Sequence, residues 1–464
     1  MVAALFVALF LPACAPSPDR PNIVVILTDD QSADSLPHTP PAMPYLQGRM
    51  EDPSDHWIQF TNAYVNTPLC CPSRASILSG QYSHHTGVRF NPAGHLFDSS
   101  STMATWLQGA GYHTGFFGKY LNRYPFGLEP FVPAGWDRWI ARAHGGLLSL
   151  YYNYTLIEDG RAVQYGGAPS DYITDVLADK AVQFIESAPA DRPFLLYFSP
   201  TAPHAPWVPS PLHENEVNRF TNDLPSPAFN ERGSLDRPLW VTSRRELSLR
   251  MEKRLVEERA RQFSSLLGVD DAIRTIVTAL ERRGELDNTV IVFLSDNGYS
   301  FGEHRWIGKR CAYDVCTKTP LVVRFPGQQS ARIHETVSNV DIAPTLAQLA
   351  GVIPTTEVDG ESLVPLIEGK TFERKPGELI EWVGDDNIPA YWAIRTEDFL
   401  YVELATGERE LYDVGGLLGP ADPFELDNRA STLRYFPVQI LLAVQLAELR
   451  GGPSTFVTSE SGLG

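Results

Sequence analysis

The stretch Asn22-Ile-Val-Val-Ile-Leu-Thr28, followed at once by Asp29-Asp30, decides the fold. Its apolar residues run without the polar alternation of a half-exposed strand, which is typical of a strand buried on both faces of a parallel sheet. Four further segments have the same character, at residues 114–118, 194–199, 289–294 and 321–325. We therefore expect at least five buried strands in one sheet.

Helical patterns lie between these strands, at residues 103–110, 171–187, 244–283 and 341–350. Gly268 interrupts the longest of them, and glycine disfavours a helix interior, so we expect a break near that residue. Strands that alternate with helices predict an α/β fold, a large and mainly parallel sheet sandwiched by helices.

The sequence pattern changes after about residue 355. Residues 392–403 and 408–413 alternate in polarity around Thr406-Gly407, which predicts a hairpin, and residues 436–449 have a helical pattern. We expect a smaller C-terminal α+β subdomain that carries an antiparallel sheet. The predicted organisation is a leader at residues 1–20, a large α/β domain at 21–355, the subdomain at 356–450 and a disordered tail at 451–464.

Polar residues follow the predicted strands at their carboxyl ends, where ligands bind in such sheets. They are Asp29, Asp30, Lys119, His204, Asp296 and Asn297. The aspartates and the asparagine offer hard oxygen atoms, which suit Ca²⁺ or Mg²⁺. Each pair also reads as an ordinary turn after a strand, a second interpretation that the sequence leaves open.

Leu69-Cys70-Cys71-Pro72-Ser73-Arg74 is the most informative motif for function. A cysteine is most often a buried structural residue. A zinc site made from Cys70, Cys71, His84 and His85 is a second interpretation, although this spacing matches no usual zinc pattern.

The motif resembles the signature of the type I sulfatases, Cys-x-Pro-Ser-Arg followed by a short helix. The resemblance implies an alkaline phosphatase-like fold and a formylglycine-generating enzyme as partner, which oxidises Cys70 to formylglycine (3-oxoalanine). It also implies a Ca²⁺ ion, with Mg²⁺ as the alternative. The implied ligands are Asp29, Asp30, the modified Cys70, Asp296 and Asn297.

The resemblance also implies roles for the basic residues. Arg74 would hold the hydrated aldehyde, Lys119 and Lys309 would bind sulfate oxygens, and His204 would protonate the departing alcohol or bind the sulfate. One hydroxyl of the hydrate would attack sulfur, and the other would then expel sulfate and restore the aldehyde.

One departure from the family pattern refines the resemblance. In Gly118-Lys119-Tyr120-Leu121-Asn122, leucine stands where many members have histidine. This version looks like the N-acetylglucosamine-6-sulfatase branch, and it implies that Asn122 and His304 bind substrate. The expected substrate is a sulfated sugar, such as a glycosaminoglycan unit, or an aryl sulfate. Two rivals remain, a phosphonate monoester or phosphodiester hydrolase, and an inactive glycan-binding lipoprotein with Cys70 unmodified.

Composition and charge limit the partners. The chain of 464 residues is 43% hydrophobic and 20% charged, values ordinary for a globular protein. A net charge of −18 and the lack of a basic block argue against nucleic acid as a partner.

The N-terminus predicts export. Residues 1–14 are apolar over the length of a signal-peptide core, and Leu11-Pro12-Ala13-Cys14 is similar to a lipoprotein box. A plain secretory signal and a buried segment are the alternatives. We expect a periplasmic, envelope-anchored or secreted protein, with a lipid anchor at Cys14 as one form. Cys311 and Cys316 are near enough in sequence to pair in an oxidising compartment, which the sequence leaves open.

Overall fold

The computed structural model describes residues 20–146, 149–221, 226–232, 236–370 and 374–451. The predicted leader with its lipid anchor at Cys14 lies outside the described residues except for Arg20. The predicted tail lies outside them except for Gly451.

Within the described residues, twelve strands precede the C-terminal region. They are β1 (Asn22–Thr28), β2 (Trp57–Tyr64), β3 (His113–Gly118), β4 (Arg138–Arg142), β5 (Thr155–Glu158), β6 (Arg161–Gln164), β7 (Phe194–Ser199), β8 (Thr289–Ser295), β9 (Ser300–Phe301), β10 (Ile307–Gly308), β11 (Leu321–Arg324) and β12 (Ala331–Ser338). Ten of them form one sheet in the order β12-β2-β11-β8-β1-β7-β3-β4-β5-β6, and β9 pairs with β10.

The centre of the large sheet is parallel. β1 pairs in parallel with β7 and β8, and β3 pairs in parallel with β7 and β4. Antiparallel pairs occur towards the edges, where β11 pairs with β8 and β2, and where β5 pairs with β4 and β6. The carboxyl ends of β1, β3, β7 and β8 therefore lie along one edge of the sheet.

Eleven α-helices lie in the described part of the chain. They are α1 (Pro44–Glu51), α2 (Cys70–Ser79), α3 (Ser83–Thr86), α4 (Met103–Gly109), α5 (Ile173–Ser187), α6 (Leu239–Thr242), α7 (Leu249–Arg283), α8 (Asp314–Thr317), α9 (Ile342–Leu349), α10 (Val364–Ile367) and α11 (Phe436–Leu449). No helix among these residues is long and apolar enough to cross a bilayer.

Helices cover both faces of the sheet, which explains the unbroken apolar run of β1. Ile23, Val25 and Leu27 pack in a core with α2, α4 and α9. Val24 and Ile26 point to the opposite face and pack in a core with α1, α5 and α7. The predicted α/β sandwich is confirmed by this arrangement.

The predicted break near Gly268 is wrong, because α7 continues through it from Leu249 to Arg283. A β-carbon at position 268 would lie 3.3 Å from the Ser210 side chain and 3.6 Å from that of Tyr172. Glycine therefore allows close packing here and does not end the helix.

The C-terminal region contains an antiparallel sheet of four strands, as predicted. The strands are β13 (Glu378–Trp382), β14 (Tyr391–Arg395), β15 (Phe399–Leu404) and β16 (Arg409–Asp413), in that order. The hairpin around Thr406-Gly407 joins β15 to β16. The segment predicted as one strand, 392–403, contains two, because Thr396 closes a turn by accepting the N–H of Phe399 on its hydroxyl.

Candidate active site

The paired aspartates lie where β1 ends. Asp30 has a positive φ of 69°, which turns the chain, and its N–H donates to Asp296 Oδ1 at 3.1 Å. Asn297 Nδ2 donates to Asp30 Oδ1 at 2.7 Å. Because Thr28 at the end of β1 is in register with Ser295 at the end of β8, two segments far apart in sequence place their polar residues together.

Cys70 begins α2 and is fully buried. Its Sγ lies 3.5 Å from Asp29 Oδ1 and 4.0 Å from Asp30 Oδ1, and it accepts a hydrogen bond from Lys309 Nζ at 2.7 Å. Burial raises the pKa of the Cys70 thiol to about 12, against the opposing pull of the neighbouring lysines. The thiol is therefore protonated at neutral pH.

Arg74 lies one turn after Cys70 in α2 and forms hydrogen bonds to three segments of the site. Its Nε donates to Asp296 Oδ2 at 2.7 Å, and its Nη1 donates to Ser199 Oγ and to the carbonyl of Lys119, both at 2.7 Å. Burial opposes the charge of Arg74, but Asp296 and Asp29 outweigh it and raise the pKa of the guanidinium. Arg74 is a permanent cation beneath the acids.

Lys119 follows Gly118, which has a φ of +131°. A β-carbon at position 118 would lie 1.8 Å from the carbonyl oxygen of Ser199, so only glycine allows this approach. The close contact lets the N–H of Lys119 donate to the same carbonyl at 2.7 Å, and the ammonium group pairs with Asp29.

Lys309 and His204 face Asp30 from two sides. Lys309 forms an ion pair with Asp30, and His204 Nε2 lies 3.6 Å from Asp30 Oδ2. His204 Nδ1 lies 2.6 Å from the carbonyl oxygen of Ala205, a contact that places a proton on Nδ1. Burial lowers the pKa of His204, although the nearby aspartates oppose this effect.

The acids respond differently to the same cations. Burial alone would raise the pKa of Asp29, but Lys119, His204 and Arg74 outweigh burial and hold it well below the ordinary value. The pKa of Asp296 is raised to about 6 by burial and by the charge of Asp29.

The site fits a divalent cation. One ligand atom from each of Asp29, Asp30, Cys70 and His204 lies within 4.8 Å of the others. Asp30 Oδ2 and Asn297 Oδ1 are buried and accept no hydrogen bond from any described residue. Buried oxygen atoms in that state are costly unless a cation or water satisfies them. Asp296 differs, since its two oxygens already contact Arg74 and the N–H of Asp30.

Asn122 and His304, two of the residues predicted to bind substrate, line different cavities. Asn122 lines a cavity of about 370 Å³ together with Lys119 and His204. His304 is instead buried in a separate cavity of about 340 Å³. Its Nδ1 lies 3.3 Å from Glu231 Oε2, and its Nε2 lies 3.9 Å from Glu425 Oε2. A role for His304 in substrate binding stays a prediction, without a contact to the Cys70 cluster among the described residues.

The remaining described cysteines differ in state, and two residues that were not predicted contact the site. Cys311 and Cys316 form a disulfide bond, and Cys71 is buried and free. Ser199 accepts a hydrogen bond from Arg74, and Gln262 in α7 donates to the carbonyl of Asp30 at 2.7 Å. Ser199 ends a predicted strand and Gln262 is polar on a buried helical face, signals too common to single them out.

Two family profiles match the chain. The first, described as Sulfatase, matches residues 21–352. The second, described as N-sulphoglucosamine sulphohydrolase, C-terminal, matches residues 302–452. Together they extend over the ten-stranded and the four-stranded sheets.

The relatives that match this chain include several named sulfatases. The human N-acetylglucosamine-6-sulfatase is 36% identical over 79% of this chain and 68% of its own length. The Bacteroides thetaiotaomicron N-acetylglucosamine-6-O-sulfatase is 30% identical over 95% of this chain and 89% of its own. The chain spans only 31% of a longer relative, an extracellular sulfatase homolog of Drosophila melanogaster, at 34% identity over 75% of this chain.

Solved structures share the fold. A protein in complex with its substrate D-glucosamine-2-N,6-O-disulfate has a TM-score of 0.76 and 26% identity, with 93% of this chain and 97% of that one covered. A phosphonate monoester hydrolase of Agrobacterium radiobacter has a TM-score of 0.73 and 24% identity, over 93% and 95%, and shows the fold alone. The predicted resemblance is thereby confirmed, including its likeness to N-acetylglucosamine-6-sulfatases. This chain belongs to the sulfatase family.

Proposed function

We propose that the protein is a sulfuric ester hydrolase that removes sulfate from a sulfated sugar, with N-acetylglucosamine 6-sulfate as the first candidate substrate. The observation that carries the proposal is the convergence of Lys119, Lys309 and His204 on Cys70 and the two aspartates. Two ammonium groups and an imidazole beside one buried nucleophile position suit a tetrahedral oxyanion. The names of the relatives support the choice of sugar.

The state of Cys70 supports modification to formylglycine. A thiol whose pKa is about 12 has almost no thiolate at neutral pH, and the thiolate is the nucleophilic form. Formylglycine at this position would supply a hydroxyl nucleophile through its hydrate. The main chain at the start of α2 would hold that group beside Asp29 and Lys309.

Asp29, Asp30 and Asn297 would hold the metal, with Asp296 beside them. Their oxygen atoms favour Ca²⁺, with Mg²⁺ as the alternative. The bound ion would polarise a sulfate oxygen and offset its charge. Lys119 and Lys309, which pair with these aspartates here, can then donate to the sulfate oxygens.

His204 is placed for the leaving group. It lines both the acid cluster and the cavity of about 370 Å³ that can receive the sugar. Its Nδ1 is held by the carbonyl of Ala205, so Nε2 faces the site. His204 would give the Nε2 proton to the departing oxygen from its imidazolium form, which burial disfavours and the charges of Asp29 and Asp30 favour.

The wider setting is part of the proposal. Relatives include extracellular sulfatases, and a disulfide such as Cys311–Cys316 persists in oxidising compartments. We propose an exported protein, matured by a formylglycine-generating enzyme, with a domain boundary near residue 355. Lipid attachment at Cys14 is kept as one form of anchoring.

Mass spectrometry and kinetics test the function together. The peptide that contains Cys70, taken from the native host, should carry a residue lighter than cysteine. The same preparation should hydrolyse N-acetylglucosamine 6-sulfate and aryl sulfates, and the Cys70→Ala variant should lose both activities.

Aryl phosphonate is the decisive comparison. A phosphonate monoester or phosphodiester hydrolase would turn over aryl phosphonate esters with a higher kcat/KM than aryl sulfates, and that result would overturn the proposal. An unmodified Cys70 with sugar binding but no turnover would favour the inactive glycan-binding protein.

A further inference from the structure

The cavity beside the Cys70 cluster is lined by basic groups. Its volume is about 370 Å³, within the range of small-molecule sites. Among the described residues, its lining contains no aspartate or glutamate. It contains five basic side chains, Lys119, Arg123, Arg142, His144 and His204. In a chain of net charge −18, such a wall indicates a site for anions.

Arg142 reaches this cavity because of strand register. Gly118 of β3 is paired in parallel with Ala141 of β4, so Lys119 and Arg142 follow at the carboxyl edge of the sheet side by side. Both residues line the cavity. Lys119 contacts Asp29, so Arg142 lies one strand further from the metal-binding acids.

Arg142 is buried without a carboxylate partner. It is 9% exposed and forms no ion pair with a described residue, and Asp29 is the one acid whose charge acts on it, at longer range. Its Nη2 donates to the carbonyl of Ser149 at 3.3 Å, and its Nε makes no hydrogen bond to any residue that the structure describes. Burial lowers the pKa of Arg142 to about 10, so it is still a cation at neutral pH.

Folding alone does not explain such a residue. Burying an unpaired charge costs free energy, and other buried arginines of this protein avoid that cost. Arg74 pairs with Asp296 at 2.7 Å and Arg395 with Asp314 at 3.0 Å. A buried cation that faces a cavity and lacks an acid is satisfied when an anionic ligand arrives.

We propose that Arg142 binds a second anionic group of the substrate, next to the sulfate that is cleaved, and so selects doubly charged sugars over singly charged ones. This inference rests on the proposed sulfatase function. A guanidinium binds sulfate and carboxylate through paired N–H donors, so either group satisfies the site. The unpartnered Oδ1 of Asn122 in the same cavity can accept from a sugar N–H or hydroxyl.

The test compares two substrates in two variants. D-Glucosamine-2-N,6-O-disulfate should have a kcat/KM at least about tenfold above that of N-acetylglucosamine 6-sulfate, mainly through a lower KM. Arg142→Gln should bring this ratio to within about twofold of one, and Arg142→Lys should keep part of it. Arg161→Gln, an exposed arginine on β6, is the matched control and should keep the full ratio. A disaccharide that joins a uronic acid to N-acetylglucosamine 6-sulfate tests whether a carboxylate replaces the N-sulfate.

Two results would overturn the inference. One is a wild-type enzyme that prefers neither the disulfate nor the uronic acid disaccharide over N-acetylglucosamine 6-sulfate. The other is an Arg142→Gln variant that loses the same factor on singly and doubly charged substrates, because Arg142 would then bind the sulfate that is cleaved.

Stability and binding separate this inference from other failures. Arg142→Met should melt at or above the wild-type temperature, because it removes an unpaired buried charge. A clear fall in melting temperature would show a structural role instead. Calorimetry on Cys70→Ala measures the preference for the disulfate without turnover. A preparation that binds the disulfate preferentially but hydrolyses no aryl sulfate contradicts the proposed function and not the role of Arg142.

Discussion

At the scale of single residues, Arg74 links the most distant parts of the site. Its guanidinium contacts Asp296 at the end of β8, Ser199 at the end of β7 and the carbonyl of Lys119 after β3. The side chain is 2% exposed, so these contacts are made away from water. Removing one member of such a buried pair leaves the other charge unpaired, which costs more than the pair itself contributes.

Arg74→Met should therefore lower the free energy of unfolding by about 3 kcal/mol and abolish sulfate ester hydrolysis. Urea denaturation followed by tryptophan fluorescence measures the first effect. The double variant Arg74→Met with Asp296→Asn should recover part of the lost stability, because it removes both charges, without recovering activity. Equal stability of the single and double variants would contradict the pairing.

The residues of the candidate site were predictable where they follow a clearly predicted strand or belong to a contiguous motif. Asp29, Asp30 and Asp296 follow unmistakable strands, and Cys70 and Arg74 belong to a contiguous motif. Arg142 has no such pattern, since β4 is short and lacks a run of branched apolar residues. Its proposed role depends on the lack of an ion-pair partner among the described residues, which only the three-dimensional arrangement reveals.

At the scale of elements, α2 is held at both ends by other parts of the chain. Its N-cap, Leu69, has no side-chain hydrogen bond to offer, so Asn91 accepts the N–H of Cys71 at 3.0 Å instead. The helix ends at Gly80, which has a φ of +73°. These two ends fix where Cys70 stands relative to the acids.

Gly80 and Gly87 form a matched pair for testing the end of α2. Both have a φ of +73°, so alanine at either position costs about 1–2 kcal/mol of backbone strain. Only at position 80 would the new β-carbon meet neighbours, with Pro344 at 3.1 Å and Val358 at 3.2 Å. Gly80→Ala should cost about 1–3 kcal/mol more than Gly87→Ala in urea denaturation. Equal losses would mean that α9 and its neighbours move aside freely.

The segment between β9 and β10 should give a pH-dependent stability through His304. Burial and the charge of Arg237 lower the pKa of His304 to about 4, against the hydrogen bond to Glu231. The unfolded chain takes up this proton near the ordinary value of 6.5 and the folded chain does not. Stability is therefore full above 6.5 and falls as the pH drops from 6.5 to 4, by up to about 3 kcal/mol.

Denaturation of wild type and His304→Gln at several pH values measures this contribution. The stability difference between the two proteins should shift by that amount in favour of the variant as the pH falls from 7 to 4. A difference that stays constant across this range would show that His304 does not carry the effect.

Elements were predictable where one pattern dominated. The five buried strands and the helices that follow them are present, because apolar runs and helical periodicity reflect burial directly. The break assigned to Gly268 failed because tertiary packing against Tyr172 overrode a local preference. The turn inside residues 392–403 was missed, since its hydrogen bond comes from a threonine hydroxyl and not from glycine or proline.

At the scale of the whole molecule, the proposed metal site joins segments that are hundreds of residues apart. Asp29 and Asp30 directly follow the first strand, while Asp296 and Asn297 directly follow the eighth. An ion that binds both pairs would bind only the folded chain. Its binding free energy would then add to the stability of folding.

Calcium should therefore raise the melting temperature, and a chelator should lower it. At a free concentration of 100 times Kd, the added stability is about 2.7 kcal/mol, which corresponds to a shift of a few degrees. Differential scanning calorimetry with Ca²⁺, Mg²⁺ and EDTA measures it, and Asp30→Asn should abolish the shift. A melting temperature that ignores both ions would contradict the assignment.

The complete burial of α2 bears on the order of folding and modification of Cys70. All ten residues from Cys70 to Ser79 are buried, so another enzyme cannot grasp this segment once the large sheet has closed around it. The proposed conversion of Cys70 to formylglycine would therefore have to take place before the chain folds. Unconverted protein that is unfolded and then renatured in the absence of the converting enzyme should recover its fold but keep the Cys70 thiol, so biosynthetic timing, and not equilibrium, would determine activity.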